Sequence, residues 1–172
     1  MKSIIFIGGI HGSGKGRICE EITGKSNLVH LTASQVLKWN EISNKNEKIV
    51  KNISDTQNRL IDNLKNIVSD KNKYLLDGHF CLLNKDRIPE KIPIKTFLDI
   101  APVKLILVTA NPELIRERLA NRDNMNYSIE LIEKFQNLEI EFSKEISHVL
   151  GSPLHLINSE EFDIDNTLNF LR

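Results

Sequence analysis

Residues 3–16 of this 172-residue chain read Ser-Ile-Ile-Phe-Ile-Gly-Gly-Ile-His-Gly-Ser-Gly-Lys-Gly. The apolar run that ends at Ile7 predicts a strand buried on both faces, which is typical of a parallel sheet. A helix is predicted to follow from Gly14 to Glu21. Glycines between a buried strand and a helix let successive backbone N–H groups turn toward an anion, and the positive end of the helix adds to the attraction. The segment therefore predicts a phosphate-binding loop.

We expect this loop to hold the polyphosphate of ATP, with Lys15 as a mobile charge beside the β- and γ-phosphates. The expected cofactor-binding residues of the loop are Gly9, His11, Gly12, Ser13, Gly14, Lys15, Gly16 and Arg17. The position after the lysine, where the general motif has a Ser or Thr that binds Mg²⁺, is Gly16, so we expect no direct protein hydroxyl on the metal. The alternative is an ordinary glycine turn next to a surface lysine.

Strands and helices alternate along the rest of the sequence. Further apolar runs predict strands at residues 28–31, 74–76, 104–109 and 154–157. Helices are predicted to begin near Thr32, Ser54, Asn111, Ser128 and Asp163, several of them at residues that can cap a helix. This order predicts one α/β domain over residues 1–172, with three α/β/α layers around a parallel sheet of about five strands.

The composition is that of a globular protein without a general affinity for nucleic acid or membranes. Lys plus Arg and Asp plus Glu number 23 each, so the formal net charge is zero. We therefore expect neither nucleic acid nor a membrane surface as a partner. Cys19 and Cys81 fit no metal spacing and no disulfide framework, and no segment resembles a signal peptide or a membrane span. These features together predict a cytoplasmic location.

A carboxylate follows the third predicted strand. Asp77 ends the apolar run Tyr74-Leu75-Leu76, and ligands of open parallel sheets bind at the carboxyl ends of the strands. Asp77 is therefore expected near the loop, where it could orient a water molecule on Mg²⁺. His79 is a candidate contact for the substrate, and a loop histidine whose nitrogens bond to the backbone is the alternative.

Two arginines are predicted to share one face of a helix. Arg118 and Arg122 lie four residues apart, and neither has a carboxylate three or four residues away. Arg116 differs, because Glu113 stands three residues before it. A bound anion would relieve the repulsion between Arg118 and Arg122, and arginines stabilise the charge of a phosphoryl group during transfer. We expect Lys15, Arg118 and Arg122 to be the catalytic residues, and a solvated basic face is the alternative.

These motifs resemble those of nucleoside monophosphate kinases, and of adenylate kinases in particular. The similar segments are the Gly-Lys-Gly of the loop, the Tyr-Leu-Leu-Asp-Gly that ends at Gly78, and the Arg-Leu-x-x-Arg at 118–122. Residues 55–60 and the Asp-x-His at 77–79 are most similar to the archaeal-type adenylate kinases. The resemblance implies a P-loop kinase fold that uses ATP and Mg²⁺, and transfer of the γ-phosphoryl group to a nucleoside monophosphate such as AMP.

The resemblance also implies positions for the acceptor and for the adenine of ATP. The acceptor-side helices would span about residues 32–70, and a short lid would span about residues 119–128. The implied substrate-binding residues are Thr32, Ser34, Lys38, Arg59 and His79, and Asn158 would lie near the adenine. The structural alternatives are that Thr32 and Gln57 cap helices and that Arg59 pairs with a carboxylate on its own helix.

Four positions depart from the adenylate kinase pattern. Arg17 stands where Thr is usual, and His11 where Pro is frequent. Lys38 and Cys81 each stand where an arginine is usual on the acceptor side. A kinase of another small acceptor, such as a nucleoside or a sugar, needs no strong clamp for an acceptor phosphate and is one alternative function. A nucleotide-binding regulatory protein with slow ATPase activity is another. The sequence leaves open whether the chain is a monomer or a homodimer.

Overall fold

A five-stranded parallel sheet forms the centre of the computed structural model, which describes residues 3–37, 53–123 and 126–172. In chain order the elements are β1 (Ser3–Gly8), α1 (Lys15–Gly24), β2 (Leu28–Thr32), α2 (Ala33–Leu37), α3 (Ile53–Ile67), β3 (Lys73–Asp77), β4 (Cys81–Leu83), β5 (Pro89–Lys91), α4 (Ile94–Ile100), β6 (Lys104–Thr109), α5 (Pro112–Asp123), α6 (Ile129–Leu150), β7 (Leu154–Asn158) and α7 (Ile164–Leu171). None of the helices in the described ranges is both long and apolar enough to cross a membrane.

All strands of the sheet run in one direction, in the order β2-β3-β1-β6-β7. From β1 the chain passes to the edge strand β2, returns to β3 beside β1, and then crosses to β6 on the other side of β1. The register aligns the ends of three strands, because Asp77 pairs with both Ile7 and Thr32. In open sheets ligands bind beyond the carboxyl ends of the strands, at the point where the direction of the connections changes. In this sheet that point lies between β1 and β3.

Alternate residues of the strands face opposite sides of the sheet. In β1, Ile4 and Phe6 pack in the core cluster that includes residues of α2 to α6, whereas Ile5 and Ile7 pack in the cluster with α1 and α7. Both faces of the strand are therefore buried, which confirms the expectation drawn from its continuous apolar run. Phe97 of α4 reinforces the larger cluster, since its ring centroid lies 5.3 Å from that of Phe6.

The predicted strands and most of the predicted helix starts are confirmed. Ser128 caps α6, because its side chain accepts a hydrogen bond from the N–H of Leu131, and the side chain of Asp163 caps α7 in a similar way. In the described part of the chain α3 begins at Ile53, next to the predicted start at Ser54. Sequence reasoning missed the antiparallel β4–β5 hairpin and α4, which are short elements between β3 and β6.

A fully buried carboxylate in α6 fixes the chain where it leaves β3. Oε1 of Glu139 accepts hydrogen bonds from the backbone N–H groups of Phe80 and Cys81, both at 2.9 Å. Burial raises the pKa of Glu139 to about 7, although these two hydrogen bonds and the charge of Lys15 oppose the shift. The folded protein therefore binds the Glu139 proton more tightly than the unfolded chain does.

We predict that Glu139→Gln removes a pH dependence of stability. Between the ordinary glutamate pKa of 4.5 and about 7, the folded state keeps a proton that the unfolded chain has lost, so the free energy of unfolding falls as the pH rises through this window. A shift of this size corresponds to about 3 kcal/mol. Urea unfolding of both proteins from acid to weakly alkaline pH measures the effect, and the stability of Glu139→Gln relative to the wild type should rise with pH.

Glu139→Leu is the matched control, because it removes the hydrogen-bond acceptor as well as the charge. The N–H groups of Phe80 and Cys81 would then be buried without their present acceptor, at a cost of about 1–3 kcal/mol each. Glu139→Leu should therefore be less stable than Glu139→Gln throughout the pH range. A stability difference between Glu139→Gln and the wild type that does not change with pH would contradict the raised pKa.

Candidate active site

A cavity of about 450 Å³ opens at the carboxyl ends of the strands, beside the glycine loop. Its wall combines the loop, the end of β3 and helix α5 with residues of α2, α3, α4 and the hairpin. The lining residues with polar or charged side chains are His11, Lys15, Arg17, Thr32, Ser34, Gln57, Asp77, His79, Thr96, Arg118 and Arg122. Most of the residues that the sequence singled out are therefore brought together in one place.

The loop between β1 and α1 contains three glycines with positive φ. Gly9, Gly12 and Gly14 have φ values of 147°, 84° and 92°, which residues with a Cβ rarely adopt. A Cβ on Gly9 would lie 2.5 Å from the carbonyl oxygen of Val108 in β6, and a Cβ on Gly14 would lie 3.0 Å from the Cβ of Ser159. The backbone therefore passes closely over β6 and the segment after β7 before α1 begins. Such a turn fits a polyphosphate, because it offers N–H groups rather than side chains.

Lys15 and Asp77 form an ion pair inside the cavity. Nζ of Lys15 donates to Oδ1 of Asp77, and the two side chains are only 12% and 13% exposed. Oδ2 of the same carboxylate lies 3.8 Å from Nε2 of His30. The lysine expected to contact the phosphates is thus held against the carboxylate expected to orient the metal.

The thiol of Cys19 also lies close to this carboxylate. Cys19 is fully buried in α1. Burial raises the pKa of the thiol to about 12, the charge of Asp77 and a hydrogen bond to it add to the shift, and the charge of Lys15 opposes it. One ligand atom of each of Cys19, His30 and Asp77 lies within 4.8 Å of the other two. Side chains from α1, β2 and β3 therefore converge at the end of β3.

Helix α5 places the predicted arginine pair at the cavity. Nη1 of Arg118 donates to the carbonyl oxygen of Gly12 at 2.9 Å, which ties α5 to the loop. Arg122 lines the same cavity one turn further along the helix. The predicted catalytic residues, Lys15, Arg118 and Arg122, thus share one cavity, whereas Arg116 lies outside its wall.

Arg17 joins the loop to the segment that follows β7. Its guanidinium donates to the carbonyl oxygen of Ser159 at 2.9 Å and lies 5.7 Å from the ring centroid of Phe162. Arg17 therefore links the cavity to the region in which the resemblance implies the adenine. Asn158 belongs to this region but not to the cavity wall, and its Oδ1 accepts a hydrogen bond from the N–H of Glu160 at 3.0 Å.

Two histidines from different segments meet in the cavity wall. The ring centroids of His11, in the loop, and His79, after β3, are 4.5 Å apart. Nδ1 of His79 lies 4.0 Å from Oε1 of the buried Glu139. Helix α6 therefore supports the loop histidine indirectly, through His79.

Residues within 32–37, 57–60 and 82–100 contribute a part of the cavity that we call the acceptor wall. Oγ1 of Thr32 accepts a hydrogen bond from the N–H of Gln35 at 3.1 Å, so Thr32 caps α2 as well as lining the cavity. Gln57 and Thr96 are each 5% exposed and line the same wall. Gln57 belongs to the segment 55–60 that carries part of the resemblance, whereas sequence reasoning missed Thr96, which lies on the unpredicted α4. The apolar residues of the acceptor wall are Ala33, Leu37, Leu60, Leu82, Ile92, Phe97 and Ile100.

Some predicted site residues lie outside the cavity wall, namely Gly9, Ser13, Arg59 and Asn158. Ser13 is fully buried, and its N–H donates to the carbonyl oxygen of Ile10 at 3.2 Å. Lys38 lies outside the described residues, as do residues 124 and 125 of the predicted lid. Residues 119–123, the first part of that lid, form the end of α5.

Comparison with known proteins finds similar sequences over most of this chain. Residues 8–136 match the family model described as an AAA domain. The adenylate kinase of Mycoplasma mobile is 28% identical over 133 residues, which cover 71% of this chain. The same residues cover 58% of that adenylate kinase, so the match extends over little more than half of the relative's length.

Two solved structures share the fold. A gluconokinase from Sinorhizobium meliloti 1021 has a TM-score of 0.59 at 11% identity, over 98% of this chain and 88% of that one. The YorR protein from Bacillus subtilis, solved in complex with phosphorylated GDP, has a TM-score of 0.57 at 13% identity, over 98% of this chain and 95% of that one. At such low identities the similarity concerns the fold alone.

The matched range, residues 8–136, contains the positions of the loop, Asp77, Arg118 and Arg122. The finer assignment to the archaeal-type adenylate kinases stays a prediction. Since the match covers most of the chain and the parallel sheet has the expected topology, the chain belongs to this AAA domain family and has the α/β fold of a P-loop kinase.

Proposed function

We propose that this chain transfers the γ-phosphoryl group of ATP to a nucleoside monophosphate, with AMP as the leading candidate. The observation that carries the proposal is the placement of Lys15, Arg118 and Arg122 in one cavity with an acceptor wall whose described residues are uncharged. Several cations beside a glycine loop suit the transfer of a charged group. An apolar wall with a few polar groups suits the binding of a small organic acceptor.

In this proposal the glycine loop holds the phosphates of ATP. The positive φ values of Gly9, Gly12 and Gly14 shape a turn whose N–H groups can face the phosphates, and α1 begins directly after it. Lys15 would exchange its contact with Asp77 for contacts with the β- and γ-phosphates. The adenine would lie near the segment after β7. The other ATP-binding residues proposed from the sequence are His11, Ser13, Gly16, Arg17 and Asn158.

Asp77 would hold Mg²⁺ through water. Its carboxylate fits this ion, since Mg²⁺ prefers oxygen ligands and usually keeps several of its waters. Gly16 offers no hydroxyl to the metal. Asp77 is the only residue with a negatively charged side chain among the described residues of the cavity wall, so it is the proposed protein partner of the metal. The ion, when bound, would neutralise charge on the β- and γ-phosphates.

Arg118 and Arg122 would stabilise the phosphoryl group during transfer. This reaction needs positioning and charge neutralisation rather than a covalent intermediate. A guanidinium group can donate two parallel hydrogen bonds to phosphate oxygens. Arg118 already contacts the loop through the carbonyl of Gly12, which places its charge beside the proposed phosphate site.

The acceptor wall would receive the nucleoside part of the acceptor. Leu60 and Phe97 offer apolar surface, while Gln57 and Thr96 offer hydrogen-bonding groups that are largely shielded from water. A nucleobase has apolar faces and polar edges, so it matches both kinds of surface. The further substrate-binding residues proposed from the sequence are Thr32, Ser34, Lys38, Arg59 and His79.

A kinase of a neutral small acceptor, such as a nucleoside or a sugar, is the second candidate. In the described part of the chain the acceptor wall has neither Lys nor Arg, and the cations of the cavity belong to α1 and α5. Cys81, at the position where an arginine is common in adenylate kinases, is fully buried in β4. An acceptor phosphate would therefore have to be held by other residues, whereas a neutral acceptor needs no such contact.

Acceptor-dependent formation of ADP tests both candidates. The full chain is incubated with ATP, Mg²⁺ and single acceptors from a panel of nucleoside monophosphates, nucleosides and sugars. We expect the highest saturable rate with one of the monophosphates. Transfer to a neutral acceptor alone would replace the first candidate by the second. ADP formation that no acceptor stimulates would reject both and favour a slow ATPase.

Lys15→Ala should reduce transfer by about 10²-fold or more, because it removes a charge that acts on the transferring group. Lys25→Ala is the matched control, since Lys25 is exposed immediately after α1 and should leave the rate unchanged. Initial rates with the preferred acceptor measure both effects. Comparable rates for Lys15→Ala and the wild type would rule out the proposed role of the loop lysine.

Arg122→Ala should lower kcat by about 10²-fold and change the KM for ATP less, because its guanidinium would act on charge that develops in the transition state. Arg116→Ala, an exposed arginine on the same helix and outside the cavity wall, should behave like the wild type. Steady-state kinetics separate the two parameters. An unchanged kcat with a raised KM would assign Arg122 to substrate binding instead.

A further inference from the structure

A second set of ligand atoms surrounds the carboxylate of Asp77, apart from its contact with Lys15. Cys19 on α1, His30 on β2 and Asp77 at the end of β3 each offer one ligand atom within 4.8 Å of the other two. We propose that these three residues form a binding site for a soft divalent transition metal such as Zn²⁺. The argument for this metal site does not rest on the proposed transfer reaction, although the two sites share Asp77.

The types of ligand determine which metal would bind. Zn²⁺ binds thiolate, imidazole and carboxylate groups, whereas Mg²⁺ prefers ligands that are all oxygen. A set of one cysteine, one histidine and one aspartate therefore favours Zn²⁺ over the Mg²⁺ that would accompany ATP. With three protein ligands, the fourth position of a tetrahedral ion would be open to water.

The distances allow such an ion after small movements of the side chains. With Zn–S near 2.3 Å and Zn–N near 2.0 Å, tetrahedral ligand atoms lie about 3.5 Å from one another. Nε2 of His30 and Oδ2 of Asp77 are already 3.8 Å apart. Lys15 contacts the other oxygen, Oδ1, so the lysine and the metal would use different atoms of the carboxylate.

The imidazole of His30 supplies an independent reason to expect a ligand. Its Nε2 is buried and has no hydrogen-bond partner in the part of the chain that the structure describes. A buried polar atom without a partner is unfavourable, and coordination of a metal would satisfy it. The side chain as a whole is 29% exposed, which provides a route from the solvent to the site.

A purely structural role for Cys19 explains less of this arrangement. A thiol that only donates a hydrogen bond to Asp77 would account for the burial of Cys19 and for its contact with the carboxylate. It would leave Nε2 of His30 without a partner. Metal binding, with loss of the thiol proton to the solvent, explains why all three side chains meet.

Titration of the metal-free full chain with Co²⁺, followed by absorption, tests the proposal. Co²⁺ replaces Zn²⁺ in such sites and gives visible bands in tetrahedral coordination, with a near-ultraviolet charge-transfer band when a thiolate is bound. We expect the thiolate band to saturate at one equivalent and to disappear when Zn²⁺ is added. No thiolate band in the wild type would overturn the proposal, whether or not the protein transfers phosphate.

Matched cysteine variants identify the ligand. Cys19→Ser should lose the thiolate band, whereas Cys81→Ser, which changes the other buried cysteine, should keep it. The reverse result would overturn the assignment.

Should Cys19→Ser fail to fold, as judged by circular dichroism, the partly exposed His30 gives a second test. His30→Gln should weaken Co²⁺ binding by roughly 10-fold or more, since loss of a group that merely supports a ligand already costs about 10- to 100-fold, and unchanged affinity would contradict the site.

Discussion

The ion pair between Lys15 and Asp77 joins the two segments on which the cavity is built. Lys15 begins α1 and Asp77 ends β3, and the parallel pairing of β1 with β3 brings both to the same edge of the sheet. Both side chains are largely shielded from water, where a charge is costly unless it has a partner. The position of Lys15 depends in turn on the backbone of the loop, because Gly9 passes too close to β6 to carry a side chain. The position of the ion pair therefore depends on both the sheet register and the glycine turn.

This ion pair also determines how the proposed substrates would enter the site. A polyphosphate carries more negative charge than one carboxylate, so it would compete with Asp77 for the ammonium group of Lys15. The carboxylate would then be available to the water molecules around a divalent cation. The two proposed roles are linked for this reason, since Lys15 cannot serve the phosphates fully while it remains bound to Asp77. Arg118 belongs to the same arrangement, because its contact with Gly12 holds a further positive charge beside the loop.

Local patterns were sufficient to predict one half of the site, and distant contacts decide the other half. The strand, loop and helix of residues 3–24 are contiguous, so the apolar run and the glycines predict them directly. Arg118 and Arg122 could be identified as candidates because neither has a carboxylate three or four residues away on its helix.

In contrast, Glu139 accepts hydrogen bonds from backbone N–H groups 58 and 59 residues away, and no periodicity marks such a contact. Helix α4 and the β4–β5 hairpin are too short for a clear pattern, so Thr96 was missed with them. The proposed metal site could not be predicted from a short ligand motif, because Cys19, His30 and Asp77 lie on three different elements.

Asp77 is the only carboxylate among the described residues that line the cavity. A Cβ on Gly16 would meet no atom within 4 Å, so packing does not explain the lack of a hydroxyl ligand there. In the proposed reaction Mg²⁺ would then depend on the phosphates, on water and on Asp77. The proposed Zn²⁺ site uses the same carboxylate through its other oxygen. A metal cation bound to Oδ2 would lie close to the ammonium group that contacts Oδ1, and the two positive charges would repel each other. A metal at Cys19 and His30 would therefore weaken the hold of Asp77 on Lys15, and the affinity of the loop for phosphates would depend on how that single charge is shared.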